Sequence, residues 1–160
     1  MYFETTREQT TMDATLQVIR IEPRVSPDPV SEPDYLLTTM DGDHVVESMR
    51  YGDADVATYG PERVRGWVPE DHARHRAWER DEWRFVDVRL VAVVGVSAGG
   101  RQVGTLEIDG PVLGGVESDG GDEYMSSVVD ELAGEFRGEL VALGFAASGE
   151  TTPTDIIWEA

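Results

Sequence analysis

The stretch WRFVDVRLVAVVGVSAGGRQVGTLEI, residues 83–108, decides the fold. From Arg84 to Val96 it is a run of Phe85 and β-branched residues, the side chains that pack best on a pleated surface. Ser97-Ala-Gly-Gly100 is a turn, and beyond it Val103, Thr105 and Glu107 alternate with Gln102, Leu106 and Ile108. Two apolar runs around a glycine pair read as an antiparallel hairpin of about 84–108. Downstream, Asp109 to Val116 reads as a loop. The strongest helical period in the chain then covers about 122–143. Tyr124, Val128, Leu132, Phe136, Leu140 and Leu143 share one face of it, Gly144 stands at the C′ position and Phe145 can fold back on the last turn. The expected fold is therefore α+β, an antiparallel sheet built on the hairpin and covered by this C-terminal amphipathic helix.

Upstream, Ala14 to Ile21 alternates as a strand, and Pro23, Pro27, Pro29 and Pro33 mark 22–34 as a linker or arm. Tyr35 to Met40 and His44 to Tyr51 flank Asp41-Gly42-Asp43 and are expected to extend the sheet as a second hairpin. Residues 52–68 read as irregular, and 69–83 as a helix opened by Pro69 with Glu70 and Asp71 in its first turn. Thr154 to Trp158 adds a last edge strand. Residues 1–13 read as a frayed start and 146–153 as loop. The 160 residues suit a single domain whose best-defined core is 83–145.

Composition excludes several chemistries. With no cysteine, a disulfide scaffold, a thiol nucleophile and a Cys-zinc site are ruled out. The 13 basic residues, all arginine, face 32 acids, a net charge of −19 that repels nucleic acid and anionic membrane as direct ligands. No apolar run reaches the ~20 residues of a membrane span and the start does not read as a signal peptide, so a cytoplasmic location is expected. Residues 107–160 hold 13 acids against the single Arg137. Two explanations compete for this acidity. Either the surface is adapted to high salt, or it imitates nucleic acid and occupies a basic groove on a partner.

His72 and His75 lie three apart on the expected helix, a spacing compatible with two metal ligands, but without a His-Glu-x-x-His pattern they read as an exposed face. Glu117, Asp119, Asp122 and Glu123 crowd into seven residues, yet their register fails the EF-hand loop, and they read as a cap with Ser118 or Asp119 near N-cap. Glycines 95–104 lack the lysine and helix start of a phosphate loop. Ser118, Ser126 and Ser127 lack a Gly-x-Ser-x-Gly setting, and His44 with Asp43 and Glu47 makes no triad. No catalytic residue, metal or cofactor is assigned.

Three segments carry a resemblance: Trp83-Arg-Phe-Val-Asp-Val-Arg89, Gly115-Val-Glu-Ser-Asp-Gly-Gly-Asp-Glu-Tyr124 and Leu140-Val-Ala-Leu-Gly-Phe145. Over about 75–145 the chain resembles an uncharacterised family of small acidic proteins from phages, integrative elements and bacterial genomes. That family carries a Trp-x-Phe/Tyr-x-Gly-Ile/Val-Arg strand, a Trp-Gly-Ile-Glu-Ser-Asp-Ser loop and a Tyr-led acidic helix. The chain departs from this pattern at Asp87 (Gly in the family), Gly114 (Trp) and Gly120 (Ser). The resemblance implies an accessory, mobile-element context and no particular reaction.

Together these readings point to a non-enzymatic acidic interaction protein. Its most concrete form is a virus- or element-encoded inhibitor that mimics nucleic acid to block a host defence protein. Asp122, Glu123, Asp130, Glu131, Glu135 and Glu139 would carry partner binding. The expected partner is a protein with a basic surface, with neither nucleic acid nor membrane bound directly; a homo-oligomer is compatible with the sequence. The alternative is a halophilic structural or assembly subunit, a virion or complex component, with contacts through residues 153–158 and the proline arm.

Overall fold

A computed structural model describes residues 14–145 and 152–160, an α+β structure. The readings of 1–13 as a frayed start and of 146–151 as loop lie outside the described residues. Their order is β1 (Ala14–Pro27), a 3-10 turn (Asp34–Leu36), β2 (Thr39–Asp41), β3 (His44–Glu47), α1 (Asp53–Tyr59), α2 (Pro61–Glu79), β4 (Phe85–Ala98), β5 (Arg101–Glu117), α3 (Asp122–Ala142) and β6 (Ile157–Trp158). One sheet has the order β5-β4-β1-β6, and β2 with β3 forms a separate two-stranded sheet. The chain gathers into two compact units, one within residues 1–25, 88–112 and 126–159, the other formed by Ser26–Asp87 with Leu113–Met125.

In the first unit, β4 and β5 are joined by Gly99 and Gly100 at φ 58° and 77°. Both central residues of a type I′ turn need positive φ, which glycine alone adopts without strain. The hairpin is longer than the sequence suggested, because Asp109 to Glu117 continues β5 where a loop was expected. Val88, Leu90, Val91, Ala92 and Val94 of β4 are buried, as are Ile21 and Val25 of β1. On α3, Val128, Val129, Leu132, Ala133, Phe136 and Leu140 are buried, with Phe136 over Gly110 of β5. The i, i+4 stripe read from the sequence drifts around a helix of 3.6 residues per turn, so its ends, Tyr124 and Leu143, emerge into solvent. The helix ends in a Schellman motif: Gly144 sits at φ 91°, its N–H donates to Val141 O at 2.9 Å, and Phe145 N–H donates to Leu140 O at 3.0 Å.

The proline arm is shorter than expected. β1 runs through Pro23, which is fully buried, to Pro27. The carbonyls of Ile21 and Val25 accept from Thr154 and Glu159, so alternate residues of β1, Pro23 among them, turn their polar groups toward β6. Among the described residues, pairing there is Arg24 with Ile157 and Val25 with Trp158, parallel, besides an isolated bridge from Ile21 to Pro153. A missing donor costs little on that side, which is how a proline enters a strand interior. Glu22 is also buried, held by Arg20 at 2.6 Å and Arg24 at 2.7 Å, and Arg24 reaches on to Glu107 at 2.5 Å.

In the second unit, Tyr35 and Leu36 curl into the 3-10 turn instead of extending the main sheet. The curl buries Leu36 with Trp83 and Phe85, an apolar gain that a short exposed strand would forgo. The β2–β3 hairpin therefore starts only at Thr39. Residues 52–68, expected to be irregular, are helical: Pro61 occupies the first turn of α2, Pro69 lies inside it, and the helix stops at Glu79 short of Trp83. Burial of Val64 and the packing of Trp67 on Tyr51 and Tyr59, with centroids 5.1 and 5.5 Å apart, outweigh the glycine and proline penalties there.

Candidate functional site

All six carboxylates assigned to partner binding lie on α3 and are exposed. At 100° per residue, Glu131, Glu135 and Glu139 form one ridge with about 6 Å between successive positions along the axis. Glu123 and Asp130 lie on the opposite flank, the side of Arg137, and Asp122 opens the first turn, where the helix dipole favours negative charge. At least eight of the chain's arginines (Arg20, Arg24, Arg50, Arg65, Arg74, Arg80, Arg84 and Arg89) pair with carboxylates outside α3. The three ridge positions are all glutamate.

The Glu-Ser-Asp loop has a different role from the one read in the sequence. It does not cap α3: Gly120 and Gly121 separate it from the helix, and Gly121 O accepts the first helical bond from Met125. Instead, Ser118 N–H donates to Arg84 O at 2.8 Å and Ser118 Oγ accepts from Arg84 N–H at 2.9 Å, a side chain standing in for one ladder bond. Arg74 of α2 reaches Glu117 at 2.7 Å and Asp119 at 2.8 Å, and Tyr35 O–H donates to Glu117. The Arg74 bond holds the Asp119 carboxyl below its ordinary value, while burial and then the bond to Glu117 push the Tyr35 hydroxyl up. Two of the four acids that suggest a cation loop are therefore already paired with one arginine. Sequence reading could not find Arg74, since nothing local to residue 74 marks a partner more than 40 positions away.

His72 and His75 do not converge. His72 Nε2 lies 3.2 Å from Thr38 O, whereas His75 packs on Trp78 and faces Glu79 at 3.8 Å. Among the described residues no group of three His, Asp or Glu side chains could hold a metal ion. The 510 Å³ cleft beside His72 is lined by Asp34, Leu37, Thr39, Glu47, Ser48 and Met49. Among the described residues no helix is long and apolar enough to cross a membrane.

Asp87 and Gly114, two of the departures from the family pattern, face each other: a Cβ on Gly114 would stand 2.9 Å from Asp87 Oδ1. Burial, and then the neighbouring Asp28, raise the Asp87 carboxyl. Asp28 is itself pulled down to about 2 by donors from Ser31 Oγ and the N–H groups of Val30, Ser31 and Gly115. A carboxyl with a lowered folded value stabilises above its unfolded value near 4 and loses that contribution as pH falls toward 2. Asp28→Asn is therefore expected to lower the melting temperature at pH 5–7 and to converge with wild type near pH 2, read by circular dichroism at fixed KCl. A constant gap across that range would refute the assignment.

No family model, curated protein or solved structure matches this chain.

Proposed function

We propose that the chain is a non-enzymatic acidic binding protein whose α3 ridge docks on the basic, nucleic-acid-binding surface of a partner protein, a host defence protein in the mobile-element context that the resemblance implies. The observation that supports this reading is the exposure of all six carboxylates on α3, while at least eight arginines are engaged elsewhere. Charge density limits what the helix can replace. Six acids over the 21 residues of α3 give one charge per ~5 Å, against one per ~1.7 Å of duplex axis. The helix thus suits a local cluster of arginines and lysines better than a whole duplex footprint.

The test is a triple variant, E131R/E135R/E139R, against the partner captured by the tagged chain from its host's lysate at host salt. At least a tenfold loss of affinity is expected with circular dichroism unchanged, and added DNA should displace the captured partner from the wild type. Unchanged binding by the variant would overturn the proposal. One observation favours the structural alternative: Trp158 on the two-residue β6 is 58 % exposed, an apolar contact point independent of charge. Loss of fold below molar KCl, with only self or assembly subunits captured, would support that reading.

A further inference from the structure

In the order β5-β4-β1-β6, β5 stands at the edge, and among the described residues no strand lies beyond it. Residues 101–107 of this strand are all exposed, with Val103 at 64 % and Leu106 at 37 %. Edges of this kind are ordinarily blunted by lysine, proline or a charge set into the strand. Pro111 does that for the later part of β5, but residues 101–106, Arg-Gln-Val-Gly-Thr-Leu, carry neither proline nor an acid. They close the longest acid-free run in the chain, 88–106, whose only charges are Arg89 and Arg101. In a chain of net charge −19, this is where a second copy meets the least repulsion.

The geometry points to a homodimer in which two copies of β5 pair antiparallel, edge to edge, across a two-fold axis at Gly104. The type I′ turn makes Ala98 and Arg101 a hydrogen-bonded pair, so Gln102, Gly104 and Leu106 turn their N–H and C=O groups outward. Centred on Gly104, the register sets Gln102 opposite Leu106, Val103 opposite Thr105 and Arg101 opposite Glu107. The strand is thereby self-complementary, as a two-fold interface requires. Arg101 has no carboxylate against it in its own chain among the described residues, and Glu107, which holds Arg24, keeps 55 % of its side chain exposed toward a second cation. Gly104 has no internal packing reason to be glycine, since a Cβ there meets nothing within 4 Å. Glycine within a strand is a mark of close backbone approach.

Sedimentation equilibrium in molar KCl over a range of concentrations tests this. A reversible species of twice the 17.6 kDa chain mass is expected, tightening as salt screens the two net charges. Gly104→Pro removes both symmetric N–H donors at the axis and should raise the dimer Kd about tenfold or more, while Gly104→Ala keeps them and should leave it intact. If Gly104→Pro fails to fold by circular dichroism, Arg101→Glu decides instead: placing like charges opposite Glu107 should weaken the dimer and leave the exposed hairpin folded. A wild type that is monomeric up to millimolar concentration, or a dimer indifferent to the folded variants, overturns the inference. The α3 proposal is untouched by either result, because it uses a different surface.

Discussion

Replacing Phe136 with alanine is expected to lower the unfolding free energy by about 3–5 kcal/mol, the range for emptying a fully buried aromatic site. Phe136 is 1 % exposed at the centre of the α3 stripe. Its ring lies over Gly110 of β5, where an added Cβ would come within 2.7 Å of Cε1 and Cζ. The glycine is therefore the socket that lets the helix approach the strand, and Gly110→Ala should also destabilise, by overpacking, at about 1–3 kcal/mol. The two effects are coupled. In G110A/F136L the methyl occupies space vacated by the smaller side chain, so the double variant should lose less than the sum of the single ones. Urea melts at fixed KCl measure all four corners of the cycle, and strict additivity would show that ring and glycine do not meet. Partner binding gives a second readout, because the ridge Glu131, Glu135 and Glu139 rides on this anchor. F136A should weaken binding and stability together, whereas charge reversal weakens binding alone.

Periodicity made one half of the molecule legible. The hairpin and α3 were visible because a β-branched run, a Gly-Gly turn and a helical stripe are local signals reinforced by burial. What failed was wherever tertiary packing overruled a local breaker. Pro23 sits in a strand interior because its partner on that side is a two-residue strand almost at the other end of the chain. Pro69 and Gly66 do not interrupt α2, because Val64 and Trp67 bury enough apolar surface to offset them, whereas Gly60, at φ 86°, separates α1 from α2. The acidic face of α3 was read directly, since exposure of charge on an amphipathic helix follows from its buried stripe. The Glu-Ser-Asp loop was not: its partner Arg74 lies 43 residues from Glu117, and the sequence holds thirteen arginines with nothing to rank them.

Trp83→Ala is the second large effect, expected at about 3–5 kcal/mol. Trp83 is 3 % exposed, meets Phe85 edge-on at 5.1 Å, and donates from Nε1 to Arg74 O at 3.0 Å. The Arg74 guanidinium stands 4.2 Å above the ring and points on to Glu117 and Asp119. The indole thus fills the core and also holds the arginine that pairs with the loop. Magnitudes decide which role dominates. Arg74 keeps 33 % of its side chain exposed, so its ion pairs contribute about 0–1 kcal/mol after solvent screening. The stacking adds about 0.5–2 kcal/mol, and the emptied cavity exceeds both. Arg74→Ala should therefore cost less than Trp83→Ala. Trp83→Phe, which keeps most of the volume but loses the donor, should fall between wild type and Trp83→Ala. The pH dependence separates the contributions further. Asp119 is lowered by Arg74, so that part of the stability is present above its unfolded value near 4 and is lost as pH falls through the folded one. Wild type and Arg74→Ala should therefore draw together in acid, while the Trp83→Ala deficit persists there. A Trp83→Ala loss that also vanished in acid would mean that the ion pairs, and not the buried indole, hold this corner of the fold.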